Sequence, residues 1–247
     1  MRDLLFGLAA GGPAAVLALD LAESLVEKGR FDPIDVLWRY AETERSAECD
    51  TGLVGGRVLR RVREGFSVSE ALALTGFTQS FLSGDPGPAL RVAPLAAAAF
   101  LDDEALWSAA RVEAELTNHH PGPTEASRVV AMLLRELLRG RPWDESVAAA
   151  RQRCGPEMQR ALVLGRHITL DSERSAPSLL RTAIHFVDQS NDLASALNYC
   201  RNFTQDSTWH LALVSALGCA RYGWSAVAPV HDEPRAQALA DALGAGW

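Results

Sequence analysis

A helical period, punctuated by caps and stops, recurs along this chain and constrains its fold more than any other feature. Leu17, Leu21 and Leu25 recur at four-residue spacing, with Gly29 following as a stop. Asp32-Pro33 has the form of an N-cap followed by proline at the first helical position. Val54, Val58 and Val62 form a second stripe that ends at Gly65. Ser67 and Glu70 have the spacing of a capping box, opening a short helix expected to stop at Gly76. Further helices are expected over Asp103–Glu115, residues 124–139, residues 144–153, Ala176–Asp188, residues 192–199, Thr208–Tyr222 and residues 234–243. No stretch alternates with period two for long enough to make a sheet. No fixed-period repeat, low-complexity tract or linker divides the chain. The pattern reads as all-α, a helical bundle forming a single domain over residues 1–247.

Composition narrows the function classes. At 247 residues and 48% hydrophobic content, the chain can bury a substantial core. A formal charge of −7 supplies no broad basic field for nucleic acid or an anionic membrane. Residues 57–63 are locally basic, but Leu59 and Val62 sit at helical spacing among them, which is the pattern of one solvated helix face. The longest apolar run, residues 92–101, is about half of the ~20 residues a membrane span needs and contains Pro94. Asp3 and the Gly11-Gly12-Pro13 break argue against a secretory signal. Cys49, Cys154, Cys200 and Cys219 lack CxxC spacing and read as free thiols, so the expected compartment is the cytoplasm.

Residues 202–223 read NFTQDSTWHLALVSALGCARYG, a loop followed by a small-residue helix. Residues 87–95 read GPALRVAPL, residues 116–121 read LTNHHP, and residues 2–12 read RDLLFGLAAGG. Leu21-Ala-Glu-Ser-Leu25 leads through Lys28-Gly-Arg-Phe-Asp-Pro33. In this order the segments resemble the ADP-ribosylglycohydrolase family, which includes the dinitrogenase-reductase-activating glycohydrolases. The resemblance covers most of the chain and implies that family's all-α fold. It also implies a shortened N-terminal region.

The departures fall on the chemistry. Asn202, Asp206 and the closing Ala220-Arg221-Tyr222-Gly223 match the family's C-terminal motif, but Thr208 replaces its second aspartate and Trp209 the threonine after it. Thr204 and Gln205 stand where the motif has two glycines. Gly12 occupies the place of an N-terminal aspartate, and the Thr-Asp-Asp-Thr loop has no counterpart, since Gly12 to Val16 offer no carboxylate. Hard divalent cations need carboxylate-rich oxygen ligands, and a two-metal site needs several of them converging. The expectation is therefore no metal, no cofactor and no di-metal ADP-ribosylglycohydrolase activity, with one weak, mostly hydrated Mg²⁺ at Asp206 the most that the remaining oxygens could hold.

What remains is a candidate polar constellation at the family's pocket-forming loops. Asp206, His210 and His119 are the candidate acid–base groups. Asp206 has a second reading as the cap of the helix that follows. Asp85, Asn118, Asn202, Gln205, Thr208 and Trp209 are the candidate ligand contacts, with Trp209 read either as a stacking surface or as filler where a loop was lost. His120 reads as part of a polar turn and Arg91 as a structural contact at a helix start. Pro86 and Pro88 remove backbone donors from a loop that in the family lies against ADP-ribose, making it a poor phosphate cradle. Two function classes follow. One is a metal-independent small-molecule-binding protein or repurposed enzyme, in keeping with a bacterial specialised-metabolism composition. The other is a non-catalytic pseudoenzyme acting as an interaction or structural protein.

Overall fold

Most side chains of one long helix, Pro121–Leu138, are buried, and much of the molecule is arranged around it. The computed structural model describes residues 2–9, 12–46, 49–78, 84–164, 175–205, 207–224 and 232–244. In chain order the helices are α1 (Arg2–Ala9), a 3-10 turn (Gly12–Ala15), α2 (Val16–Lys28), α3 (Pro33–Thr43), α4 (Leu53–Arg63) and α5 (Val68–Thr78). Then come α6 (Gly87–Arg91), α7 (Ala93–Ala97), α8 (Asp103–Glu115), α9 (Pro121–Leu138), α10 (Trp143–Arg153) and α11 (Pro156–Leu164). The last four are α12 (Ala176–Asp188), α13 (Leu193–Thr204), α14 (Thr208–Tyr222) and α15 (Glu233–Gly244). The described residues contain no strand, and none of their helices is long and apolar enough to cross a membrane.

Side-chain caps set several of the helix starts. Asp32 accepts from the N–H groups of Ile34 and Asp35, Asp102 from Ala105 at 2.8 Å, and Asp192 from Ser195 at 2.7 Å. Ser67 and Glu70 exchange the two bonds of a capping box. Several bounds differ from the sequence reading. α5 passes through Gly76 to Thr78, because a glycine inside a helix costs only about 1 kcal/mol and does not by itself stop one. α13 runs five residues beyond Tyr199 to Thr204, whose hydroxyl donates back to Cys200 O at 2.8 Å. α9 starts at Pro121, with His120 as its cap. Helices α6, α7 and α11 carry no stripe long enough to be read from periodicity.

Buried polar contacts lock the bundle. α7 ends at Ala97, and Arg135 of α9 supplies partners for the carbonyls around that end, donating to Leu95, Ala96, Ala98 and Leu101. At the other side of the core, α1 lies so close to α14 that a Cβ on Gly7 would sit 2.5 Å from Cys219 Sγ and 2.9 Å from Ser215 O. The Arg221-Tyr222 pair of the C-terminal motif is structural. Arg221 donates to Val187 O at 2.7 Å, and the Tyr222 hydroxyl lies 2.5 Å from Val187 O and 2.7 Å from Ser190 O. These bonds pin the end of α12 to α14, and so fix the direction in which the N-terminus of α14 points.

Candidate functional site

α4 has Gly52 at its N-cap position, which offers no side chain to its first N–H groups. A carboxylate from elsewhere does this work. Asp85 Oδ2 accepts from Gly55 N at 3.3 Å, while Oδ1 accepts from Gly87 N at 2.9 Å in the first turn of α6. Burial pushes the Asp85 carboxyl above its ordinary range, opposed by the N–H groups of Gly87, Gly55 and Val54 and by Arg91. Its role here is to tie the starts of two helices together.

Trp209 stands at the second position of α14 and is only 5% exposed. Its indole N–H donates to Asp50 Oδ2, while Asp50 Oδ1 accepts from Gly52 N at 3.2 Å. The ring lies against the backbone of Gly52: a Cβ there would meet Trp209 Cη2 at 2.5 Å and Asp85 Oδ2 at 2.8 Å. Asp50 N in turn donates to Pro13 O at 2.9 Å, which holds the 3-10 turn beside this loop. Beneath lies a buried network. Arg91 bonds to Glu113 Oε1 and donates to Thr117 Oγ1 at 2.7 Å, and Tyr40 OH donates to the same Glu113 oxygen at 2.9 Å.

The remaining candidates divide by exposure. His210 is 1% exposed, with Nδ1 2.9 Å from Ser207 Oγ. Asn118 is 5% exposed; its Oδ1 accepts from His120 N at 2.9 Å, which leaves Nδ2 buried without a partner. His119, Asn202, Gln205 and Thr208 have exposed side chains, and Asn202 lies within α13. His120 caps α9 through Nδ1, which accepts from Gly122 N at 3.2 Å. Asp206 lies outside the described residues. Gln205 holds φ 52 and ψ 51, the left-handed geometry that suits the glycine of the family motif. The αL penalty of about 1–2 kcal/mol exceeds the chain entropy a glycine adds to the unfolded state. Gln205→Gly should therefore raise stability by about 0.5–1 kcal/mol in a urea titration.

Asp50, Gly52, Tyr40 and Glu113 are central here and were not singled out from the sequence. Glu113 did leave a signal, a carboxylate on the apolar stripe of α8 beside Leu106, Ala109 and Ala110. Asp50 and Gly52 left none, because only the tertiary approach of Trp209 gives them their part.

The described residues do not fit a paired-metal centre. The oxygens of Asp50 and Asp85 are turned to N–H donors, and Gly12 to Ala15 carry no ligating side chain. Among the described residues no three His, Cys, Asp or Glu side chains are grouped to hold an ion. Nor is there an activated thiol: burial, with the carboxylates of Asp20, Asp50 and Glu44, pushes Cys49 up to about 12.

Comparison with known proteins agrees with the fold and the motifs. No curated protein matches the chain significantly. A solved structure described as an ADP-ribosylglycohydrolase-related protein complex is similar at 26% identity and a TM-score of 0.80, over 98% of this chain and 96% of that one. The family model for ADP-ribosylglycohydrolase matches residues 12–247. With the fold, the motif order and that span in agreement, the chain belongs to the ADP-ribosylglycohydrolase family.

Proposed function

We propose that this chain, as one domain, has left paired-metal ADP-ribose hydrolysis and acts as a non-catalytic interaction protein on the family's fold. The observation that carries this reading is the seating of Trp209, whose N–H bonds Asp50 while its ring lies against Gly52 and Asp85. That arrangement engages both oxygens of Asp50 and both of Asp85 in N–H bonds within the fold, so these carboxylates serve the structure. The placement of two candidate acid–base groups also supports it: His119 is exposed, while His210 is buried with Nδ1 against Ser207.

A second reading, a metal-independent small-molecule site, is favoured by one observation. Asn118 Nδ2 and Glu113 Oε2 are buried without partners, and unpaired buried groups cost about 1–3 kcal/mol each unless something meets them. Two measurements separate the readings. The purified protein should release no ADP-ribose from arginine-linked substrates with added Mg²⁺ or Mn²⁺, and chelator-sensitive turnover would overturn the first reading. Native mass spectrometry of protein from its own host should show a stoichiometric protein partner. A small molecule retained instead, and lost in Asn118→Leu, would establish the second.

A further inference from the structure

α10 and α11 meet at the turn through Cys154 and Gly155, and an open groove of about 630 Å³ runs there, lined by Arg151, Gln152, Pro156, Gln159, Arg160 and Val163. Its charge runs against that of the whole chain, which has 31 acidic and 24 basic residues. Several other surface arginines are tied to acids: Arg39 to Glu23, Glu27 and Asp35, Arg60 and Arg63 to Glu44, and Arg141 to Glu136. Arg151 and Arg160 are exposed, and among the described residues neither side chain has an acidic partner.

Of the acids beside the groove, Glu157 is exposed three residues before Arg160 on α11 and forms no ion pair among the described residues. Glu125, reaching the turn from α9, is bonded to Gly155 N, and Glu104 is bonded to Arg153. One turn along α9 from Glu125, Arg128 stacks over Trp107 at 3.9 Å, and burial together with the charge of Arg111 lowers its pKa. The groove's size falls in the range of about 300–1,000 Å³ that holds extended organic ligands, too large for a single inorganic anion. Two unpaired cations are few for a nucleic-acid backbone, which needs several phosphate contacts and meets a net negative protein.

We propose that the groove between α10 and α11 binds an acidic peptide segment of a protein partner. Arg151 and Arg160 each receive a carboxylate, and Pro156 and Val163 supply apolar contact between them. The inference rests on the reading of the chain as an interaction protein and names the chemistry of its partner.

The test uses the full chain and a fluorescein-labelled octaglutamate peptide, read by fluorescence anisotropy at low salt. Saturable binding is expected, weakened at least about tenfold in Arg151→Glu/Arg160→Glu. It should change little in Arg30→Glu/Arg45→Glu, which alters net charge equally on another face. Arg151→Gln/Arg160→Gln should give a smaller loss in the same direction and guards against misfolding of the reversal variant. Absence of wild-type binding overturns the proposal, as does equal loss in both reversal variants. Preference for a single-stranded RNA of matched charge, or displacement by inorganic phosphate at matched charge, overturns it as well. None of these outcomes bears on the hydrolysis assay, so the groove and the broader reading fail separately.

Discussion

Arg91→Met should cost about 3–5 kcal/mol of stability, because it strands the Glu113 carboxylate in the core. Glu113 is 0% exposed, and its Oε1 receives bonds from both Arg91 and Tyr40. With the guanidinium gone, a single phenol faces a buried negative charge whose Oε2 already lacks a partner. Tyr40 stays a neutral donor, since burial and Glu113 push its pKa well above the ordinary value, and it brings no positive charge to replace the guanidinium. Thr117 would also lose its 2.7 Å bond from Arg91, loosening the end of α8 against α6. Arg91→Met/Glu113→Leu should recover most of the loss, as replacing a whole buried pair is often close to neutral. Urea denaturation of the two single variants and the double variant reads the cycle. A cost below about 1 kcal/mol for Arg91→Met would show that the pair is not desolvated as described.

That network separates what was legible in the sequence from what was not. α2, α8, α12 and α14 are long enough for a helical pattern to show, and three of these four begin and end where that pattern puts them. α6 and α7 were hidden for a physical reason. They are five residues each, and nearly all their side chains are buried, so there is no polar face to give a period. The end of α7 depends on Arg135, about 40 residues from the carbonyls it meets, and the start of α4 on Asp85, 30 residues from Gly55. Such caps in trans have no local signature.

The candidate site was legible as chemistry lost rather than chemistry present. The absent aspartates could be read directly at Gly12 and Thr208, because a metal ligand is a matter of residue type. Whether the surviving polar residues converge is a matter of direction, which spacing in a loop does not encode. Thr208 and Trp209 are neighbours in sequence, yet one side chain is exposed and the other is buried against Gly52. His119 and His120 are both exposed, and only His120 turns back to cap a helix. The part of Asp50 depends on the indole that reaches it across 159 residues.

Gly52→Ala tests that junction most sharply. Gly52 has φ 70, a left-handed conformation that costs an L side chain about 1–2 kcal/mol. The added methyl would also stand 2.5 Å from Trp209 Cη2 and 2.8 Å from Asp85 Oδ2, an overpacking that costs about 1–3 kcal/mol where neighbours cannot move. Both neighbours are held, the indole by Asp50 and the carboxylate by two helix N-termini, so the total should reach about 2–5 kcal/mol. Trp209→Phe removes the six-membered ring edge that carries Cη2 and leaves the backbone penalty in place. In that background Gly52→Ala should cost less, with a coupling energy of about 0.5–3 kcal/mol between the two sites. Thermal or urea unfolding of the four proteins gives the cycle. Additivity within about 0.5 kcal/mol would mean that the indole does not rest on Gly52. The seating of Trp209 would then not be as described, and the interaction reading would lose the contact on which it stands.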